Sequence, residues 1–143
     1  MKSNTKSESS DASPLVLVID DSEDNRTMYV EYLRLEGFRV AEAQNGQEAV
    51  EDAVELRPDL VVMDLTLPIM DGWEATRRLK ADPRTSRIPV IALSGHEPEA
   101  FSQRAKEAGC ASFLAKPCLP DVLAREVKQL LSLQREGGTN EGK

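Results

Sequence analysis

LVLVIDD (residues 15–21) is a run of five aliphatic residues that stops on two adjacent acids. Three further runs also stop on a chemically pointed residue: LVVMD (60–64) on Asp64, VIALS (90–94) on Ser94, and ASFLAKP (111–117) on Lys116 before Pro117. A strand that is apolar at every position, rather than at every second one, belongs to a sheet covered on both faces, as parallel sheets are. If these runs lie side by side and parallel, their C-terminal ends open on one crevice. Acids, a hydroxyl and one lysine then meet there, a set suited to a divalent metal and a phosphoryl group.

The segments between the runs change period from strand to helix. After the first run a helix is expected over about 24–36, with Asp24 as its N-cap and Gly37 as its stop. Met28, Tyr29, Tyr32 and Leu33 would share its inner face. A second strand is expected near 38–43, a turn at Asn45-Gly46, and a helix near 46–56 with Ala49, Val50, Ala53 and Leu56 inward. The third strand, 59–63, delivers Asp64, and the loop LTLPIMDG (65–72) leads to a helix at about 73–80. Then follow a strand at 88–93, a helix near 98–108 with Phe101, Ala105 and Ala108 inward, and a strand at 111–115. The last helix, near 120–133, carries Val122, Leu123, Val127, Leu130 and Leu131 at core spacing. Right-handed crossovers turn such a succession into a doubly wound α/β sheet. With five strand–helix units the expected arrangement is flavodoxin-like, (βα)5 with strand order 2-1-3-4-5, and ligands at the strand C-termini.

The chain has 143 residues, enough for one domain with a real core, and 40% of them are hydrophobic. Residues 1–13 (MKSNTKSESSDAS) and 134–143 (QREGGTNEGK) lack periodicity and are expected to be disordered tails. No run is long enough to span a membrane, and no apolar signal core follows Met1, so a cytoplasmic protein is expected. The formal net charge of −7 argues against nucleic acid as a direct partner. Cys110 and Cys118 are too few for a disulfide framework; Cys110 is expected to pack, and Cys118 to sit in an exposed loop.

Asp20 and Asp21 could be acids at a solvated helix start, but a third acid, Asp64, converges on them in the proposed strand order. Close carboxylates stay ionised best with a cation beside them, and Mg2+ takes a few carboxylates, a carbonyl and several waters. A carboxylate can also attack a phosphoryl group to form an acyl phosphate, and a metal relieves the repulsion between the two anions. Ser94 could donate to a phosphoryl oxygen, and Lys116 could pair with Asp64 at rest and with phosphate after transfer.

This set, Asp20-Asp21, Asp64, Ser94 and Lys116-Pro117, resembles the receiver domain of two-component response regulators. VIDDSEDNR (18–26), PIMDGWE (68–74) and GCASFLAKP (109–117) resemble that family as well, and the likeness covers residues 14–133. The resemblance implies that Asp64 is the phosphoacceptor. It implies that Asp21 and Asp64 ligate Mg2+ directly, Asp20 through water, and Thr66 through its backbone carbonyl. Lys116 would grip the phosphoryl oxygens, and the Lys116–Pro117 peptide would be cis. Ser94 and Phe113 would form the switch. Thr66 and His96 would flank the phosphoryl group and tune its hydrolysis. His96 is the only histidine and HEPEA lacks the second histidine of a zinc motif, so the donor histidine is expected on another protein. Trp73 is expected to be a packing residue.

The expected function is that of a stand-alone response regulator, a signalling protein rather than an enzyme, which promotes its own aspartyl phosphorylation and dephosphorylation. A histidine kinase or a histidine phosphotransfer protein would supply the phosphoryl group, and only ten polar residues follow residue 133. The signal would therefore leave by contact with a downstream target protein, over helix four, strand five and helix five, or by onward relay. The alternative is a phosphorylation-independent pseudo-receiver interaction module, whose mark would be a missing acid or lysine. An aspartyl metal-dependent phosphatase is disfavoured, because Ser22 stands where a second acid of D-x-D would be. A flavin-binding protein is disfavoured too, since Asp20 to Asp24 would repel a phosphate in the first loop.

Overall fold

The computed structural model describes residues 13–67, 69–95, 103–104 and 106–141, with side chains to Gln134. The elements are β1 (Leu15–Ile19), α1 (Glu23–Leu35), β2 (Arg39–Ala43), α2 (Gly46–Leu56), β3 (Leu60–Asp64), α3 (Gly72–Ala81), β4 (Val90–Ser94), β5 (Ser112–Ala115) and α5 (Pro120–Glu141). Helical residues 103–104 and 106–108 belong to a fourth helix, α4. Phe101, Ala105 and His96, and most of the expected 98–108 helix, lie outside the described residues, as do residues 1–12.

The sheet is parallel, in the order β2-β1-β3-β4-β5. This is the flavodoxin-like arrangement expected from the aliphatic runs. Successive side chains of a strand point to opposite faces, which divides each run into two sets. Val16, Val18, Leu60, Val62, Ile91 and Leu93 meet Tyr29, Val30 and Leu33 of α1 and Leu123 and Val127 of α5. Leu17, Ile19, Val61, Met63 and Val90 meet Ala49 and Ala53 of α2 and Ala75 and Leu79 of α3. β1, β3 and β4 are therefore inside from end to end, apart from the half-buried Leu15, while the edge strands β2 and β5 are only partly covered.

The helix ends show where local chemistry chose between candidates. Ser22, not Asp24, caps α1: its hydroxyl accepts from the Asn25 amide at 3.3 Å, and Asp24 falls inside the first turn. Gly37, at φ 100°, follows the helix in a conformation open to glycine. Asn45 caps α2 and Asp71 caps α3, each accepting from the amide three residues on. The Asn45-Gly46 pair is thus a helix start rather than a free turn. Met28 and Leu56, expected inward, are 39% and 42% exposed. Cys118, expected in an exposed loop, is buried. α5 runs eight residues past its expected end at 133, through the stretch read as a tail, and Gln134 donates to the Arg87 carbonyl at 3.3 Å. No helix among the described residues is long and apolar enough to cross a membrane.

Candidate functional site

The register of the sheet sets the site. Ile19 of β1 lies level with Met63 of β3, Asp64 of β3 with Leu93 of β4, and Ser94 of β4 with Ala115 of β5. Asp20, Asp64, Ser94 and Lys116 therefore leave the sheet at nearly one height. Asp20, Asp64 and Ser94 are buried, and Asp21 is exposed at the rim.

Each group is held by its neighbours. Asp64 Oδ1 accepts from the Thr66 amide at 3.0 Å, and Oδ2 takes the Lys116 ammonium at 3.0 Å. Asp20 Oδ1 accepts from the Ser22 amide at 2.9 Å, and Oδ2 lies 3.2 Å from the same ammonium. Lys116 is tied through its backbone amide to the Ser94 carbonyl at 2.8 Å, and the Lys116–Pro117 peptide is cis. Thr66 is exposed at the mouth, while His96 lies outside the described residues.

Charge is unevenly shared here. Burial raises the Asp64 carboxyl above the usual range and the Asp20 charge adds to this, against the Thr66 amide and Lys116, which lower it. Burial alone would lower the Lys116 ammonium, but the hydrogen bond to Asp64 and the two carboxylate charges outweigh it and raise it. One ammonium thus serves two buried acids, with a third acid beside them. Carboxylate oxygens of Asp20, Asp21 and Asp64 all lie within 4.8 Å of one another. A set of hard oxygen donors with too little positive charge fits a hard divalent cation.

Two contributors carry no signal strong enough to read from sequence. Arg26 stands in VIDDSEDNR without an evident task, yet its Nη1 donates to the Asp20 carbonyl at 2.7 Å and its Nε pairs with Glu42 at 2.9 Å. Tyr29 reads as core, yet its hydroxyl donates to the Cys118 carbonyl at 3.0 Å. Phe113 is half-buried against Leu65, Trp73, Ala92 and Ala108. Trp73 is buried as expected, and the Arg104 guanidinium stands 4.5 Å from its ring centroid.

A parallel sheet of this order with clustered acids and one lysine at its C-terminal edge defines a receiver domain. Residues 16–128 match the family described as response regulator receiver domain, and the chain belongs to that family. It is 34% identical over 102 residues to the polar-differentiation response regulator DivK of Brucella anthropi, covering 71% of this chain and 83% of DivK. It is 39% identical over 127 residues to the transcriptional regulatory protein PrrA of Mycobacterium tuberculosis, covering 89% of this chain but 53% of PrrA. Among solved structures it resembles the receiver domain of the sensor histidine kinase PA1611 of Pseudomonas aeruginosa, with a TM-score of 0.78 and 32% identity over 85% of this chain and 99% of that one. That domain was solved with a magnesium ion coordinated in its active-site cleft.

Proposed function

We propose that this receiver domain takes a phosphoryl group from a phosphohistidine donor onto Asp64 and signals by contact with a downstream protein or by passing the group on. The observation that carries the reading is the Lys116 ammonium bridging Asp64 and Asp20 within a cluster of three acids. An Asp64 carboxylate oxygen attacks phosphorus, the phosphorus–nitrogen bond of the donor breaks, and the imidazole leaves with the electron pair. Lys116 is placed to exchange one anionic partner, the free carboxylate, for another, the phosphoryl oxygens. Asp20, Asp21, Asp64 and the Thr66 carbonyl would hold Mg2+, which supplies the positive charge that an anion needs to approach a phosphoryl group. The magnesium in the PA1611 receiver domain supports that choice of ion.

Ser94 and Phe113 are the switch in this reading: the hydroxyl turns to the phosphoryl group and the ring fills the space behind it. Thr66 and His96 set how water reaches the acyl phosphate, so the chain governs its own phosphorylation and dephosphorylation while remaining a cytoplasmic signalling protein. A histidine kinase or a histidine phosphotransfer protein is the donor. Exposed apolar side chains toward the site end of the molecule, Met28 on α1 and Leu119 after β5, support a protein donor.

The test is intact mass after incubation with acetyl phosphate and Mg2+. Wild type should gain one phosphoryl group, and Asp64→Asn, or wild type with chelator, should gain none. A mutant lacking Asp64 that labels at the wild-type rate sinks the assignment. No adduct with any donor, kinases included, points instead to a phosphate-independent interaction module.

A further inference from the structure

Arg26 and Tyr29 lie one turn apart on α1, and each donates to a backbone carbonyl next to one of the opposing charges of the site. We propose that α1 is a two-point clasp that sets the distance between the acid side and the lysine side, with Arg26 and Tyr29 as its positioning residues. The inference rests on the function proposed above and concerns how the same site is held.

The acid point is the stronger. Residues three apart on a helix share a face, which carries both side chains toward the strand ends. The Arg26 side chain is 11% exposed, and its Nη1 donates to the Asp20 carbonyl at 2.7 Å. That carbonyl belongs to the peptide joining Asp20 to Asp21. Fixing its plane fixes the direction in which both carboxylates leave the backbone. Glu42 on β2 holds the Nε at 2.9 Å, so the guanidinium is itself braced by the neighbouring strand. The Asp20 amide donates to the Ala43 carbonyl on the same strand at 3.2 Å, which holds the preceding peptide and so fixes Asp20 on both sides of its Cα.

The lysine point is built from a neutral donor. Tyr29 is 2% exposed, and its hydroxyl reaches the Cys118 carbonyl at 3.0 Å, two residues beyond Lys116. A phenol held there stops the loop after β5 from lifting and carrying the ammonium away from Asp20 and Asp64. Neither side chain makes a hydrogen bond to Asp64, so both act through the groups they hold.

Charge and positioning predict opposite signs at Arg26, which makes the proposal testable. As a bare positive charge near three acids, Arg26 would oppose a cation, and Arg26→Gln would tighten Mg2+ binding. As a clasp it pre-orients the ligands, and Arg26→Gln should weaken binding by about 10-fold, the scale seen when outer partners of metal ligands are removed. Arg26→Lys should weaken it too, because one ammonium lacks the planar fork that spans carbonyl and carboxylate together. Glu42→Gln, which spares Arg26, should give a smaller loss in the same direction if the arginine variants fail to fold. Tyr29→Phe should leave Mg2+ affinity within about 2-fold yet slow acetyl phosphate labelling at saturating Mg2+ by about 3- to 10-fold, the worth of one net hydrogen bond.

The measurement is calorimetric titration of Mg2+ into full-length wild type and variants, with labelling rates by intact mass and thermal melts alongside. Weaker Mg2+ binding in both arginine variants, with slowed labelling at unchanged affinity in Tyr29→Phe, supports the clasp. Unchanged or tighter binding in Arg26→Gln overturns it, and so does labelling by Tyr29→Phe at the wild-type rate. If wild type binds Mg2+ but accepts no phosphoryl group, the proposed function fails while the titration still decides the clasp at its acid point.

Discussion

Tyr29 is where a core residue and a site residue become the same residue. Its ring packs with Val30 and Leu33 in the layer under α1, and its hydroxyl is spent on the Cys118 carbonyl. Burial is the main reason that the phenol is pushed up to about 12, with the Cys118, Asp20 and Asp64 charges adding and Lys116 opposing. The sign for stability follows. A group that holds its proton more tightly in the folded chain stabilises the fold fully below its unfolded value, near 10, and that contribution disappears as pH rises to about 12. At most about 2–3 kcal/mol is at stake over that window. Urea denaturation between pH 9 and 12 should therefore show wild type losing stability more steeply than Tyr29→Phe. Absorbance of tyrosinate should show one late-ionising tyrosine that the variant lacks. Parallel stability curves would mean that the hydroxyl titrates as a free phenol and is not held in the folded chain.

At the scale of elements, the approach of α3 to the end of β3 decides where Asp64 sits. Gly72 opens that helix so close to the strand that a Cβ there would fall 2.4 Å from the Asp64 carbonyl oxygen and 2.7 Å from the Leu65 Cα. Both obstacles are backbone, so no side chain can swing aside. Gly72→Ala should destabilise the fold by about 1–3 kcal/mol, the range for overpacking, and should slow labelling of Asp64 by pushing its loop outward. Equilibrium unfolding in urea measures the first effect and intact mass the second; a stable, normally labelled variant would show that the helix start can shift freely. The sequence exposes this level unevenly. The aliphatic runs and helical periods are local, which is why the five strands, their order and the meeting of Asp20, Asp64, Ser94 and Lys116 were readable. Gly72 was readable as a turn residue but not as a contact. The N-cap moved from Asp24 to Ser22 because both types can cap and only the geometry of the loop chooses. The place of Cys118 depends on Tyr29, a partner 89 positions away, and nothing in PCLP (117–120) announces it. QREGGTNEGK (134–143) lacks an apolar period and reads as a tail, yet the helix continues to Glu141.

For the whole molecule the question is how an event at Asp64 reaches the far edge of the sheet. Leu65 follows Asp64, Ala92 stands two residues before Ser94, and both pack with Trp73, Ala108 and the half-buried Phe113. This small layer links the end of β3 to α4 and β5, part of the surface expected from the sequence to carry the output. Arg104 of α4 lies over the Trp73 ring at 4.5 Å, a contact whose strength depends on where α4 stands. If phosphorylation shifts the population toward a form in which Ser94 and Phe113 move inward, the ring and the guanidinium change their relation. Trp73 is the only tryptophan, so its emission reports this layer alone. Wild type should change its emission on labelling with acetyl phosphate and Mg2+, and Asp64→Asn should change only as far as Mg2+ alone changes it. Arg104→Met should keep the labelling and lose most of the response, because the ring then faces a neutral chain in both forms. An unaltered spectrum in a sample that intact mass shows to be fully phosphorylated would place the switch elsewhere, and would separate the chemistry at Asp64 from any movement of α4.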